Sequence, residues 1–368
     1  MSDSSRPFGL SRREHIMDEL RRTGSVRVSD LARALGVAEL TIRRDIGRLA
    51  DEGLVTRVHG GATLRSALDT TVPTRATSSA PRFRVGMVVP SLNYYWPQVV
   101  VGARAAATEQ RVQLVLRGAS YAIDDQRRQI ASLLDGGGVH GLIVAPENLG
   151  PDGHAMLQWL DQLPLPVVLV ERQAPAALGL TRLEWVTTDH VFGGELALRH
   201  LAARGHRRVG IVTAAQSPTS SQLRRGWLRA TSALGVDSPI DVSVSLDRLA
   251  STARGDALGT LLDDVRTREC TALLVHSDPQ AVLLQQFAAD HGWALPEDLA
   301  IMAYDDEIAE GADPPLTALR PAKEHVGRRA VETMAARLAE GARRPVERVQ
   351  IVPQLRERAS TRGAPRDA

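Results

Sequence analysis

From residue 82 onward, the sequence alternates between short apolar runs and segments of helical periodicity. The apolar runs are RVGMVVP (84–90), VQLVLR (112–117), VHGLIVAP (139–146), PVVLVE (166–171), RRVGIVT (207–213), TALLVHS (271–277) and LAIMAYD (299–305). Continuous apolar strands separated by helices are typical of parallel sheets covered on both faces, so the pattern predicts an α/β fold. Because about 280 residues are too many for one such sheet, we expect two doubly wound parallel-sheet lobes. A ligand cleft is expected at the carboxyl ends of their strands.

Residues 11 to 64 carry a different pattern, which predicts three helices and a hairpin. The predicted helices run from Ser11 to Gly24, from a cap at Ser29 to the turn at Gly36-Val37, and from about Ala38 to Asp51. Gly53 is expected to end the third helix. Leu54–Arg57 and Ala62–Leu64 are expected to pair through a turn at Gly60-Gly61. This order of elements is that of a winged helix-turn-helix, whose third helix enters the major groove of DNA.

The third predicted helix has one apolar face and one basic face. Ile42, Ile46 and Leu49 recur at helical spacing and are expected to be buried. The candidate DNA-binding residues are Thr41, Arg43, Arg44 and Arg48 on the opposite face, with Arg57 and His59 on the wing. Arginine bonds bidentately to guanine or to phosphate, and a threonine near a helix start can bond a backbone phosphate. Two adjacent arginines alone would fit a solvated helix face better than a DNA contact, but the order of helices, turn and wing favours DNA binding.

This N-terminal segment resembles the DNA-binding domain of the DeoR family of bacterial transcriptional regulators almost end to end. The family pattern Thr-Ile-Arg-Arg-Asp falls on Thr41–Asp45, a buried leucine falls on Leu49, and Arg-x-His-Gly-Gly-Ala falls on Arg57–Ala62. The resemblance implies a winged helix-turn-helix over residues 1–64 that binds double-stranded operator DNA. Ala38 departs from the family, which usually has serine there, and the missing cap or phosphate contact should weaken binding by roughly 1 kcal/mol.

The alternating segment carries a second resemblance, to the ligand-binding domain of the LacI/GalR family, which is akin to periplasmic sugar-binding proteins. The matching stretches are VGMVVPSLNYYWPQVVVGARAAA, VHGLIVAP, TTDHVFGGELALRHLAARGHRRVGIV, HSDPQAV, LPEDLAIMAYDD, PPLTALRPAKEHVGRRAVETM and LRERAST. Their order and spacing place a sensor domain at residues 82–361. A linker at 65–81 precedes it and a disordered tail at 362–368 follows it. The usual DeoR-family effector domain, a sugar-phosphate sensor, is not what this part of the chain resembles.

The second resemblance implies that side chains at the strand ends contact a small effector, which we expect to be a carbohydrate or polyol. The candidate ligand-binding residues are Tyr95, Trp96, Arg117, Arg172, Asp278 and Asp305. Trp96 aligns with an aromatic that stacks on a sugar ring, and Asp278 aligns with an aspartate that accepts sugar hydroxyl protons. Structural alternatives stay open: the aromatics could pack in a lobe interface, and Arg172 and Asp305 could bond only protein groups. Relatives have a ligand-clamping arginine where this chain has Leu223, so a standard hexose is not implied.

Composition and missing motifs exclude several other functions. Cys270 is the only cysteine, so neither an intrachain disulfide nor a cysteine metal cluster can form, and we expect no metal and no cofactor. The sequence has neither an HExxH zinc motif nor a GxSxG nucleophile motif, which argues against an enzyme. No run of about 18 apolar residues is present, and the N-terminus lacks the apolar core of a signal peptide. We therefore expect no membrane association and a cytoplasmic location.

Together these features predict a transcriptional repressor whose operator binding is controlled by a small effector in the interlobe cleft. A homodimer would place two recognition helices about 34 Å apart, one turn of DNA. The net charge of +2 means that any basic surface is local rather than global. The alternative is a solute-binding protein of a sugar transporter, which the sensor alone would permit and the N-terminal 64 residues disfavour.

Overall fold

The fold is that of a computed structural model, which describes residues 16, 19–20, 25–51, 55–58, 61–64, 80–215 and 217–362. Predictions that lie outside these residues concern Ser11, Gly24, Gly53, His59, Gly60, the linker at 65–79 and the tail at 363–368. The side chains of Arg48 and Arg57 are likewise outside the described part, although their backbones are within it. The chain forms two compact units, one of residues 1–80 and 91–101 and the other of residues 81–90 and 102–368.

Residues 25–64 of the N-terminal unit, so far as the structure describes them, form two consecutive helices and a small antiparallel sheet. Helix α1 spans Val28–Leu35 and helix α2 spans Glu39–Asp51, and the strands are β1 (Ser25–Arg27), β2 (Val55–Val58) and β3 (Gly61–Leu64). The sheet order is β1-β3-β2, and β2 pairs with β3 as the predicted hairpin. Helix α1 begins one residue before Ser29, so Ser29 lies inside its first turn. The predicted cap at Ser29 is therefore wrong.

A single apolar cluster holds the described part of this unit together. Gly36 ends α1 with a φ of 62°, a left-handed conformation that glycine adopts without strain, and so turns the chain into α2. The predicted inner face of α2 is confirmed, because Ile42, Ile46 and Leu49 are all buried. They pack with residues of the other elements, namely Ile16, Leu20, Val26, Val28, Leu31, Ala32, Val55 and Ala62.

The larger unit alternates strands and helices through most of its length. Its strands are β4 (Phe83–Val89), β5 (Val112–Gly118), β6 (Gly141–Val144), β7 (Val167–Val170), β8 (Glu184–Thr188), β9 (Arg208–Thr213), β10 (Asp237–Ser243), β11 (Ala272–His276), β12 (Ala300–Tyr304), β13 (Thr317–Arg320), β14 (Arg348–Ile351) and β15 (Gln354–Arg356). The helices are α3 (Trp96–Glu109), whose residues 96–101 are grouped with the N-terminal unit, α4 (Ile123–Asp135), α5 (Gly150–Gln162), α6 (His190–Ala203), α7 (Pro218–Leu234), α8 (Ser251–Thr267), α9 (Asp278–Asp290) and α10 (Lys323–Glu340). Every predicted apolar run overlaps one of these strands, with ends that agree to within two residues.

These strands form two separate six-stranded sheets, which confirms the predicted two-lobed α/β fold. The first sheet has the order β14-β8-β7-β6-β4-β5 and is parallel throughout. The second has the order β10-β9-β11-β12-β13-β15, and only its last pair is antiparallel. The chain passes between the lobes after β8, after β13 and between β14 and β15.

Each lobe buries apolar side chains because successive residues of a strand point to opposite faces of its sheet. In the second lobe, Leu273 and Val275 of β11 join the core on one face, while Ala272 and Leu274 join the core on the other. Both faces are covered by helices, which explains why this strand reads as a continuous apolar run. In the first lobe, α10 packs on β6, β7 and β8 after the chain returns from the second lobe.

Close approach of α6 and α7 depends on two glycines. A Cβ atom on Gly194 would lie 2.2 Å from the carbonyl oxygen of Leu223, and one on Gly226 would lie 1.8 Å from that of Val191. The two helix backbones therefore touch directly, with no room for a methyl group on either glycine. Asp189 caps α6 by accepting a hydrogen bond from the backbone N–H of Phe192 at 2.9 Å.

Candidate DNA-binding surface and ligand cleft

The outer face of α2 presents the predicted DNA-binding side chains to solvent. Arg43 and Arg44 are both exposed, and Leu40 between them and the helix start is 62 % exposed. Thr41 is half-buried near the first turn of the helix. Because the opposite face carries the domain core, the arginines project from the side of α2 that is available to a groove.

Arg43 has a carboxylate partner that orients its guanidinium but binds it only weakly. Its guanidinium lies 3.1 Å from the carboxylate of Glu39, one turn earlier on the same exposed face. An exposed pair of this kind contributes about 0.3–0.5 kcal/mol, so a phosphate or a guanine edge can replace Glu39 at little cost. Asp45, farther along the helix, is buried. The orienting carboxylate of Arg43 is Glu39.

In the larger unit, loops at the carboxyl ends of the first lobe's strands are tied to one another by side-chain bonds. Arg172 follows β7 and donates from Nε to the carbonyl oxygen of Pro146 at 3.0 Å, and from Nη1 to that of Glu171 at 2.8 Å. Gln173 donates to the hydroxyl of Thr187 at 2.9 Å. Arg172 is thus a buried positioning residue of this edge of the sheet, and its contact with a ligand stays a prediction.

Asp278 lies at the start of α9 and organises the turn that follows β12. Its carboxylate accepts hydrogen bonds from four consecutive backbone N–H groups, those of residues 306–309, at 3.1, 2.6, 3.0 and 3.3 Å. Burial raises the pKa of this carboxyl, and the bonds from the backbone of Ile308, Glu307 and Asp306 oppose that shift. The side chain is fully buried, so the structure gives it a backbone-holding role; a sugar contact stays a prediction.

Asp305 and Asp306, in that same turn, both have positive φ angles, of 107° and 54°. The carboxylate of Asp306 is held by Arg320 at 2.6 Å and by Arg358 at 2.7 Å. Burial alone would raise the pKa of Asp306, but the hydrogen bond and charge of Arg358, with those of Arg320, leave it below its ordinary value. The carbonyl oxygen of Asp305 accepts a hydrogen bond from Lys323, the first residue of α10.

Lys323 and its neighbours form a buried polar cluster at the chain crossings. The Lys323 ammonium, 2 % exposed, also pairs with the carboxylate of Glu307. At the crossing after β8, Nδ1 of His190, the first residue of α6, lies 2.7 Å from the hydroxyl of Tyr304 at the end of β12. Nε2 of that histidine lies 3.6 Å from the carboxylate of Glu171 in the first lobe. A chain of polar contacts therefore joins the two lobes through this point.

The remaining predicted ligand residues lie on other elements. Trp96 begins α3, is 3 % exposed and meets Tyr95 edge to face with ring centroids 5.6 Å apart. Its ring therefore does not present an open stacking platform here, and its stacking on a ligand stays a prediction. Arg117 lies near the end of β5, an edge strand, and is exposed. Leu223 is fully buried in α7, and Arg224 beside it is paired with Asp241 at 2.6 Å.

The residues that sequence reasoning missed are mostly uncharged amides. Gln126, Asn148 and Gln173 bridge neighbouring loops of the first lobe, together with Glu147. Their only sequence signal is position, because Glu147 and Asn148 lie in the loop that follows β6. Within the described residues, no helix is long and apolar enough to cross a membrane, and no cluster of His, Cys, Asp or Glu is suited to hold a metal ion.

Family models match both parts of the chain. A DeoR-like helix-turn-helix domain matches residues 12–67, and a periplasmic binding protein-like domain matches residues 198–361. The curated relative HTH-type transcriptional regulator DegA of Bacillus subtilis is 27 % identical over 91 % of this chain and 97 % of its own length. The ribose operon repressor of Escherichia coli is 25 % identical over 90 % of this chain and 99 % of its own.

Solved structures share the fold. A regulatory protein of the LacI family from Chloroflexus aggregans has a TM-score of 0.64 at 24 % identity, covering 76 % of this chain and 98 % of that one. The transcriptional regulator CelR in complex with cellobiose also has a TM-score of 0.64, at 21 % identity, covering 88 % of this chain and 91 % of that one.

The helix-turn-helix and the two-lobed sensor together define a DNA-binding transcriptional regulator, and the curated relatives are of this class. The chain carries a DeoR-like helix-turn-helix domain together with a periplasmic binding protein-like domain, and curated relatives that match most of its length are transcriptional regulators. Such regulators are not enzymes, which agrees with the expectation from the sequence.

Proposed function

We propose that this regulator is a cytoplasmic homodimeric repressor whose affinity for its operator is controlled by a small sugar-like effector. The observation that carries the proposal is the exposed pair Arg43 and Arg44 on the outer face of α2, within the DeoR-like domain. The name of one relative, the ribose operon repressor, and the cellobiose complex of another, CelR, support the effector class. The domain bounds proposed are 1–64 for the DNA-binding domain and 82–361 for the sensor.

The proposed DNA contacts come from the helix and from the wing. Thr41, Arg43, Arg44 and Arg48 would contact the major groove and its phosphates, and Arg57 and His59 would contact the adjacent backbone or minor groove. A dimer places two such surfaces about one helical turn, roughly 34 Å, apart and so requires a two-fold symmetric operator. Binding should depend steeply on salt, because phosphate contacts release counterions.

The proposed effector site is the cleft at the carboxyl ends of the strands, with Tyr95, Trp96, Arg117, Arg172, Asp278 and Asp305 as candidate contacts. Of these, Arg172, Asp278 and Asp305 already hold the loops in place, so they would act on a ligand mainly by positioning those loops. An effector that binds one arrangement of the lobes better than another would shift the populations of the DNA-binding states.

The test of DNA binding is a fluorescence-anisotropy titration of the dimer with a labelled fragment from upstream of its own gene. We expect Arg44→Ala to weaken binding about 10- to 100-fold, the loss of one arginine contact, and to reduce the salt slope by about 1. Arg33→Ala is the matched control, because Arg33 is an exposed arginine of α1, paired with Asp30 at 3.5 Å. It should bind nearly as the unaltered protein does.

Two outcomes would overturn the DNA-binding assignment. One is the absence of binding to this fragment at low salt by the unaltered dimer. The other is equal loss of affinity in Arg44→Ala and Arg33→Ala, which would indicate a diffuse charge effect instead of a recognition surface. Effector control is tested in the same assay, by adding compounds that raise the melting temperature of the protein.

A further inference from the structure

Leu40, the second residue of α2, is the most exposed of the large apolar side chains in the part of the chain that the structure describes. Its side chain is 62 % exposed, although leucine is a residue that folding usually buries. It stands apart from the apolar cluster of this unit, to which α2 contributes Ile42, Ile46 and Leu49. Packing within the described part of the unit therefore does not account for a leucine at this position.

Leu40 shares its face of α2 with the two exposed arginines. Residues three and four apart are neighbours on a helix surface, so Arg43 and Arg44 lie next to Leu40 in the following turn. Glu39, which precedes Leu40, is already paired with Arg43 at 3.1 Å. The N-terminal residues of a recognition helix are those that contact base edges. The exposed leucine thus belongs to the surface that the arginines would present to DNA.

The chemistry of the major groove limits what a leucine can contact there. The base edges present hydrogen-bond donors and acceptors, and the C5-methyl of thymine is the one apolar group among them. A leucine pressed against a donor or an acceptor would exclude water from it without replacing the lost hydrogen bond, which is unfavourable. Against a thymine methyl, both apolar surfaces leave water, which is favourable. Thymine is therefore the base that matches Leu40.

We propose that Leu40 is a specificity-determining residue that packs on the C5-methyl of a thymine in the operator and so selects an A·T pair at that position. The inference rests on the proposed function and deepens it, because it names a base of the operator. Arg44 lies four residues after Leu40, about 6 Å along the helix axis, and base pairs are about 3.4 Å apart. The thymine is therefore expected within about two base pairs of the group that Arg44 contacts. The proposed homodimer would make this contact once in each half-site.

The experiment removes the thymine methyl groups from the DNA. The fragment from upstream of the protein's own gene is prepared once with thymine and once with uracil in every thymine position, which deletes the C5-methyl groups and keeps every hydrogen-bonding group of the bases. Fluorescence-anisotropy titrations of the full-length protein give a Kd for each fragment. We expect uracil to weaken binding about 15-fold, because burial of one methyl-sized group is worth about 4-fold in affinity and two half-sites contribute.

Variants then assign the effect to Leu40. Leu40→Ala withdraws the apolar side chain, so it should weaken binding to the thymine fragment and lower the uracil effect from about 15-fold to below about 4-fold. Leu40→Met keeps an apolar side chain of similar volume and should retain most of the uracil effect. Leu228→Ala is the matched control, because Leu228 is a 39 % exposed leucine of α7, in the second lobe. It should keep both the affinity and the full uracil effect.

The outcomes separate this inference from the proposed function. Equal affinity of the unaltered protein for the two fragments, or the same uracil effect in Leu40→Ala as in the unaltered protein, would overturn the inference and leave DNA binding intact. Dissociation of the dimer by Leu40→Ala, measured by sedimentation, would identify the leucine as a subunit contact and would also overturn it. Absence of binding to the thymine fragment at low salt would refute the proposed function itself, and the inference with it.

Discussion

Acidification should destabilise the second lobe through His206, which lies between α6 and β9. Its Nδ1 lies 2.8 Å from the hydroxyl of Thr271, and its Nε2 is buried and has no hydrogen-bond partner in the described part of the chain. Burial, together with the charge of His200, lowers the pKa of His206 from 6.5 to about 4. A proton on this ring would place an unpaired charge inside the protein.

The sign and size of the effect follow from this shift. The unfolded chain protonates His206 near pH 6.5, while the folded chain resists protonation down to about pH 4, so folding stability is complete above pH 6.5 and falls as the pH drops toward 4. Between pH 7.5 and pH 5.0 the loss from this group alone is about 2 kcal/mol. His276, whose pKa burial lowers to about 3, should add a loss in the same direction.

The assay is urea unfolding at pH 7.5 and pH 5.0, followed by tryptophan fluorescence. All five tryptophans lie after residue 82, so the signal excludes the DNA-binding domain. We expect His206→Gln, which cannot be protonated, to lose about 2 kcal/mol less than the unaltered protein over this interval. An identical pH-dependent loss in both proteins would refute the reasoning and show that His206 is accessible to protons in the fold.

Three further predictions concern stability and are checked by the same denaturation at pH 7.5. Gly226→Ala should cost several kcal/mol by forcing α6 and α7 apart, whereas Gly255→Ala, in open space on α8, should stabilise by about 0.5–1 kcal/mol; equal effects would contradict the close-packing argument. Lys323→Met should cost about 3 kcal/mol because it leaves the carboxylate of Glu307 without its buried partner; a neutral effect would show that water reaches this crossing. Tyr304→Phe should lower the free energy of unfolding by about 1–3 kcal/mol, because it removes the hydroxyl that contacts His190. No change in stability would mean that this contact is dispensable.

The sequence predicted those parts of the fold that depend on local periodicity. The runs that became β4, β7, β9, β11 and β12 are apolar on both faces, and that alone indicates a strand buried between helices. The strands β8, β10, β13, β14 and β15 gave no such signal. Strand β8 begins with the charged Glu184, whose buried carboxylate is bonded by Arg337 of the distant α10 at 2.9 Å. Edge strands β10, β14 and β15 face water on one side and so carry polar residues.

The candidate site was less accessible to sequence reasoning. Exposed arginines on α2 could be placed because helical spacing assigns each residue to a face. The role of Asp278 could not, because its four backbone partners come from a turn about 30 residues later that only the tertiary fold brings to it. The bridging amides of the first lobe were missed for the same reason, since each connects loops that are adjacent in the sheet but distant in sequence.

The burial of Lys323 has a practical consequence, because it is the only lysine in the chain. No other side chain offers a primary amine, so an amine-reactive reagent can modify only Lys323, at the crossing after β13, and the amino terminus of the chain. The rate of Lys323 modification would then measure how often the crossing between the lobes opens, without any engineered label. An effector that closes the cleft should slow this rate, which would give a direct readout of lobe motion in the unaltered protein.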